Sequence, residues 1–349
     1  MEKHLIIRVD ARAQMGTGHL MRCLALAQAW KDAGGQVVFI TACQNEGLLQ
    51  RLREEEFDIH LLARPYPDPS DWDCTKGILA AYPNTWVVLD GYHFDEAYQQ
   101  QVKKAGHQLL TIDDMAHLKH YYADIVLNQN LHAEELRYSC EPHTRLLLGT
   151  RYVLLRREFL AWKDWKREIP EVARRILVTL GGSDPENHTL KVIQALQKVD
   201  VPGLEATVII GASNPHADVL EAAVRQNRTP IRLVNDAKNM PELMAWADMA
   251  VSGAGSTIWE LMFMALPSNF LVMAENQSLA AETLNKFGAV VTTRPWQQTD
   301  FVHHLRRLAV SMELRKHISM LSRSVIDGLG ASRIIDAAVG YSLALPGNG

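Results

Sequence analysis

Met15-Gly16-Thr17-Gly18-His19 stands between the apolar run Leu5–Asp10 and a segment in which Leu20, Cys23, Leu24 and Ala27 recur at i, i+3, i+4 and i+7. The run before it predicts a strand, the spacing after it predicts a helix, and Gly34-Gly35 stops that helix ahead of a second strand at Val37–Thr41. Strand, glycine turn, helix and strand make one βαβ unit. Arg22, Gln28, Lys31 and Asp32 fall off the apolar stripe of the helix.

The same device recurs far along the chain. Ile176–Leu180 runs into Gly181-Gly182-Ser183-Asp184-Pro185, and Met249–Ser252 runs into Gly253-Ala254-Gly255-Ser256-Thr257. Further strands are expected at Ile59–Leu62, Trp86–Asp90, Leu109–Asp113, Ile125–Asn128, Leu146–Gly149, Thr207–Gly211, Ile231–Val234, Asn269–Val272 and Ala289–Thr292. Most are continuous apolar runs rather than alternating ones, which favours parallel sheets covered by helices on both faces. A chain of 349 residues exceeds what one core usually supports. The reading is therefore α/β with two Rossmann-like domains, 1–165 and 166–349, divided within the charged, Trp-containing stretch Arg156–Pro170. The periodic segment Leu314–Val339 is a candidate to return to the first domain.

Composition narrows the function. A net charge of −4 offers no basic field for nucleic acid or an anionic membrane. No apolar stretch approaches a membrane span, and Leu5-Ile6-Ile7 is too short and too soon charged for a signal peptide. Cys23, Cys43, Cys74 and Cys140 lie far apart without CxxC spacing, so reduced thiols in a cytoplasmic protein are expected. Oligomeric state is not legible.

Chemistry concentrates in the loops. Gly16 and Gly18 allow a close backbone approach to a ligand. His19, at the mouth of a helix, meets N–H groups and a dipole that favour a neutral imidazole, the form that acts as a general base. The alternative is a histidine that only ties down the turn. A dinucleotide reading fails because Met21 replaces the third glycine of GxGxxG, and no GK[ST] follows either glycine cluster. No cofactor is expected. Asp113, Asp114, His117 and His120 have ligand chemistry, but adjacent carboxylates point apart and no motif accompanies them, so no metal is expected.

Residues 252–257 suit a diphosphate: Gly253 and Gly255 open the backbone, while Ser256 and Thr257 cap the next helix and present N–H groups. Glu260, in the first turn, either reaches a ribose or complements the dipole. Gly182 either lines the same site or makes a tight turn. Asn276-Gln277 supplies amides suited to sugar hydroxyls, and Tyr92, past Asp90-Gly91, either touches substrate or packs.

Taken together, Arg8-Val9-Asp10-Ala11, Met15 to Leu24, Asp90-Gly91-Tyr92, Ile112-Asp113-Asp114, Tyr152 to Arg156, Leu180 to Asp184, Ser252 to Glu260 and Asn276-Gln277 resemble the UDP-sugar hydrolases of pseudaminic acid synthesis. These are the UDP-2,4-diacetamido-2,4,6-trideoxy-β-L-altropyranose hydrolases, related to spore-coat polysaccharide proteins. The resemblance implies a GT-B-like fold, its two parallel-sheet domains facing an interdomain cleft. It implies metal-independent, inverting hydrolysis of a UDP-sugar. By that likeness His19 activates water; Asp10, Gly16 and Gly18 are candidate substrate contacts. Ser252–Thr257 hold the diphosphate, Glu260 takes the ribose, and Tyr92, Asn276 and Gln277 face the sugar, with Gly182 a further candidate contact. Arg157 departs from the proline expected in many relatives. The rival readings are a glycosyltransferase using a related UDP-sugar and a non-catalytic nucleotide-sugar binding protein.

Overall fold

The computed structural model describes residues 4–11, 17–211, 213–293 and 297–344, which form two compact units. One contains the first strand, His19–Arg157 and the chain from Gly328 onward; the other contains Glu158–Asp327. The stretch Arg156–Pro170, read as helix or linker, holds the short helix Arg157–Leu160 at this division.

The first unit is built on β1 (His4–Val9), β2 (Gln36–Thr41), β3 (Asp58–Leu61), β4 (Trp86–Asp90), β5 (Gln108–Ile112), β6 (Ile125–Asn128) and β7 (Arg145–Leu148). All pair in parallel, in the order β3-β2-β1-β4-β5-β6-β7. Because side chains alternate across a strand, Leu5, Ile7 and Val9 enter one core with Leu20, Cys23, Leu24 and Ala27 of the helix Gly18–Asp32. Ile6, Val38, Ile40, Val87 and Leu89 enter a second core with Leu79, Tyr98 and Val102. Both faces are thus covered, which is why the strands read as unbroken apolar runs.

The helix Gly330–Ala344 returns to this unit and seats Ala331, Ile334, Ala338 and Tyr341 in the first of those cores. The Tyr341 hydroxyl donates to Asp124 Oδ1 at 2.7 Å.

The second unit holds β8 (Arg175–Thr179), β9 (Glu205–Ile210), β10 (Ile231–Asn235), β11 (Met249–Gly253), β12 (Ser268–Leu271) and β13 (Val291–Thr293). They too are all parallel, in the order β10-β9-β8-β11-β12-β13. Ile176, Val178, Val208, Ile210, Met249 and Val251 pack against Val192, Ile193 and Leu196 and against Phe301, Leu305 and Leu308 of the helices on that face. Each such side chain, fully buried, contributes about 1.5–3 kcal/mol. In each sheet the strand order reverses once, between β1 and β4 and between β8 and β11. Beyond the carboxyl ends of the strands at such a reversal, loops diverge and leave room for a ligand.

Candidate active site

At the β1/β4 reversal the first unit gathers charge. The helix Gly18–Asp32 opens on Gly18 and carries His19 in its first turn. The His19 ring turns Nδ1 toward Asp90, the last residue of β4, at 3.5 Å. That edge is buried without a formal hydrogen bond, so the contact is electrostatic and too long or too bent to count as a bond. The ring keeps 12% of its surface exposed, leaving the Nε2 side for a ligand or water. Burial pushes the His19 imidazole below its ordinary value; Asp90 and Asp114 oppose this, while Arg22 and His93 add to it. The neutral, proton-accepting form therefore prevails at neutral pH.

Asp90 does not wander, because Arg22 grips it with two bonds: Nε to Oδ2 and Nη2 to Oδ1, both 2.7 Å. The third guanidinium nitrogen reaches Asp114 Oδ2 at 2.9 Å. Tyr92 donates its hydroxyl to the other Asp114 oxygen at 2.5 Å. Its ring meets His19 edge-on, with centroids 5.1 Å apart at 83°. Burial alone would raise the Asp114 carboxyl, but Arg22 and the Tyr92 hydroxyl outweigh it and hold it below the usual range.

Read from the helical stripe, Arg22 belongs off the apolar face; in the fold it is 6% exposed. The helix is buried on nearly all sides, and Arg22 is tolerated there because two carboxylates neutralise and bond it.

Asp10, expected at the substrate, is wholly buried just past β1. Arg8 pairs with it at 2.7 and 2.9 Å, the Ala42 amide donates to it at 2.7 Å, and His93 Nε2 lies 3.0 Å from Oδ2. Arg8 also bonds Asp71, which accepts from the Tyr98 hydroxyl at 2.8 Å. Burial would raise the Asp10 carboxyl; His93, Arg8 and the Ala42 amide hold it far below the usual range. With both oxygens engaged, Asp10 anchors the loop after β4 through His93. Gly91 in that loop has φ +152°, and a Cβ there would fall 2.6 Å from the His93 ring. Gly16 lies outside the described residues.

The second unit meets its reversal point with backbone. Leu180 to Asp184 follow β8, and Asp184 accepts from the His188 and Thr189 amides, both at 2.8 Å, fixing the start of the helix His188–Leu196. The Gly182 carbonyl accepts from the Ser213 amide at 3.0 Å. A Cβ on Gly211, at the end of β9, would lie 2.5 Å from the Gly182 Cα and carbonyl oxygen, so this loop seats directly on a bare glycine. β11 ends on Gly253, and Ala254 to Ser256 lead into the helix Thr257–Phe263. Ser256 occupies the capping position, yet its side chain makes no capping bond, contrary to the expected cap. The first amides of a helix have no intrahelical partner; Gly255 and Ser256 use their carbonyls on Ile258 and Trp259.

Glu260 stands in the first turn, half-buried. Asn276 and Gln277 lie in the 3-10 turn Glu275–Gln277, where Gln277 Oε1 accepts from the Met273 amide at 3.0 Å. A Cβ on Gly253 would meet Met273 Cε at 2.6 Å, so the loop after β12 lies against the loop after β11.

His19 and Tyr92 thus come together in the first unit; Gly182, Gly253, Gly255, Ser256, Thr257, Glu260, Asn276 and Gln277 flank the reversal in the second. Sequence reasoning missed the partners: Arg22, Asp90 and Asp114 around His19, His93 and Arg8 around Asp10, and Gly211 beneath Gly182. The available signal was a set of acids closing buried strands, as at Asp90. Among the described residues no group of three His, Cys, Asp or Glu side chains could hold a metal ion. Asp113 and Asp114 do diverge, toward His117 and Arg22 respectively.

This architecture, two Rossmann-like parallel-sheet domains, is that of GT-B glycosyltransferases. Acinetobacter baumannii MurG superposes with a TM-score of 0.65 at 15% identity, covering 97% of this chain and 99% of that one. S. aureus MnaA, solved with UDP, gives 0.67 at 11% identity over 99% of each chain. Residues 175–304 match the model of the Glycosyltransferase family 28 C-terminal domain.

Among curated relatives, the chain is 23% identical to the Bacillus subtilis spore coat polysaccharide biosynthesis protein SpsG, over 95% of this chain and 96% of that protein. It is 24% identical to the Campylobacter jejuni UDP-2,4-diacetamido-2,4,6-trideoxy-β-L-altropyranose hydrolase, over 81% of this chain and 97% of that one. It is 26% identical to the uncharacterized protein MJ1062 of Methanocaldococcus jannaschii over 78% of this chain, and spans 56% of that protein's length. No described helix is long and apolar enough to cross a membrane.

Proposed function

We propose that the protein is an enzyme that hydrolyses a UDP-linked 2,4-diacetamido-2,4,6-trideoxy sugar at the anomeric carbon with inversion, releasing UDP and the free sugar for pseudaminic acid synthesis. The observation that carries the reading is the His19 imidazole, held neutral by burial and facing Asp90 through Nδ1. Nε2 accepts a proton from the attacking water, and Asp90 stabilises the imidazolium that forms. Arg22 fixes Asp90 and so the direction of the ring.

UDP is held by the second unit: backbone amides of Gly255–Thr257 and the Gly182 turn take the diphosphate, and Glu260 takes the ribose. Tyr92, Asn276 and Gln277 contact the sugar. The Campylobacter relative's name and the resemblance in ordered motifs support this substrate class. No metal or cofactor enters the reaction as proposed.

Incubation with candidate UDP-sugars, followed by proton NMR of the anomeric signals, tests it. The expected result is acceptor-free release of sugar whose first-formed anomer is opposite to the substrate's. Turnover only on addition of a hydroxyl acceptor favours the second reading, a glycosyltransferase, to which the family 28 match lends weight. Tight binding without product would leave a binding protein.

A further inference from the structure

Tyr92 sits in the short loop that leaves β4, and two imidazole–carboxylate pairs fasten that loop. One is its own: His93 to Asp10, 3.0 Å. The other reaches it from beyond β5. His117 Nδ1 lies 2.7 Å from Asp113 Oδ2, and the ring also donates to the Tyr92 backbone carbonyl. The His117 and Tyr92 rings cross edge-to-face, 5.7 Å apart at 88°. Asp113 is itself immobile: 1% exposed, it accepts from the Met115 amide at 2.8 Å, the Ala116 amide at 3.0 Å and the Tyr121 hydroxyl. So Tyr92 is held twice, its hydroxyl by Asp114 and its carbonyl by His117.

We propose that His117 is a positioning residue: by bridging Asp113 to the Tyr92 carbonyl it fixes the Tyr92 ring beside His19 as a platform for the sugar of the ligand. This rests on the nucleotide-sugar reading above. The chemistry of the bridge sets its condition. Both partners of the ring are acceptors, a carboxylate and a carbonyl, and only an imidazolium has two N–H donors to satisfy both. A neutral ring must release one.

The groups facing His117 favour the charged form. Its bond to Asp113 comes first; burial opposes it, and the Asp113 charge, the Tyr92 carbonyl and Asp114 add to it, so the ring is held above the ordinary histidine value. Behind these stand Tyr121 on Asp113 and Arg22 on Asp114. With a folded pKa above that of free histidine, about 6.5, the bridge is complete below that pH. It is lost as pH rises through the raised value. His19 titrates in the opposite sense, being competent above its lowered value. The two rings therefore bound a pH window from opposite sides, through different kinetic parameters.

The test uses the full chain. Histidine-selective 15N NMR, with the His117 signal assigned by its loss in His117→Gln, is expected to show this ring titrating above 6.5, with the Tyr92 amide moving in step. Asp113→Asn is expected to bring it down. A His117 signal at or below the ordinary value, or a Tyr92 amide that ignores it, overturns the inference whatever the activity. These readouts need no turnover, so failure of the hydrolase reading is separately visible as absence of product with the bridge intact.

With the hydrolysed UDP-sugar, His117→Ala is expected to raise KM about tenfold with kcat within about twofold and UDP inhibition unchanged. His117→Gln, whose amide offers two donors without titrating, is expected to recover most of the lost affinity and to abolish the alkaline rise in KM. An unchanged KM in both variants across pH overturns the role, as does a fall in kcat as large as that of His19→Ala. Should His117→Ala fail to fold, the pH profile of His117→Gln decides.

Discussion

The two reversal points use the same topology and opposite materials. In the first unit, β1 and β4 end in side chains: Arg22, Asp90, Tyr92 and Asp114 interlock through bonds of 2.5 to 2.9 Å around the His19 imidazole. In the second, β8 and β11 end in glycine turns whose polar groups are mostly main chain, down to a Gly211 that leaves room for Gly182. A group that must move a proton needs its basicity and direction set by neighbours, which takes fixed charges. A group that must cradle an anion needs amides and open space, which takes the absence of side chains. On the proposed reading, chemistry falls to the first unit and grip to the second.

The sharpest way to break this assignment is His19→Ala. The expected loss in kcat is about 10²- to 10⁴-fold, the usual contribution of a positioned base, with UDP affinity by calorimetry unchanged. In the wild type, kcat/KM is expected to be full above the His19 pKa and to fall as pH drops through it, at a midpoint below about 6.5, since burial lowers that pKa. Equal losses of turnover and UDP affinity would erase the division of labour.

Next in size is Arg22→Met. It leaves Asp90 buried without its cation, and breaking such a pair costs about 3–5 kcal/mol. A urea midpoint that barely moves would show that Asp90 is not held as described. The mildest change is Gly211→Ala, which sets a methyl group against the Gly182 backbone. A cost of about 1–3 kcal/mol from overpacking is expected, with UDP binding weakened and, if the units divide the work as argued, the His19 titration untouched in NMR.

Much of the architecture was legible because buried parallel strands announce themselves as unbroken apolar runs. Ile125–Asn128 and Trp86–Asp90 match to the residue, and most other strands begin and end one residue earlier than expected. The candidate site was legible where glycine or histidine interrupts such a run, as at Gly18-His19 and Gly253–Thr257. The partners were not. Arg22 looks like any solvent-facing arginine until the fold places Asp90 and Asp114, distant in sequence, at its tip. Asp10 looks like a ligand contact, being a carboxylate at a strand end, until Arg8, Ala42 and His93 are seen to consume it. Periodicity says which face a side chain takes, not which distant charge will meet it there.

The return of Gly330–Ala344 to the first core has a consequence for biosynthesis. A ribosome finishes β1 to β7 early, but Ala331, Ile334, Ala338 and Tyr341 emerge only after all of Glu158–Asp327, a delay on the order of ten seconds at ordinary elongation rates. The unit that holds β1 to β7 is thus sealed only after the other has been made. Until then its nascent sheet must wait with one flank open, while most of the unit made after it is completed first.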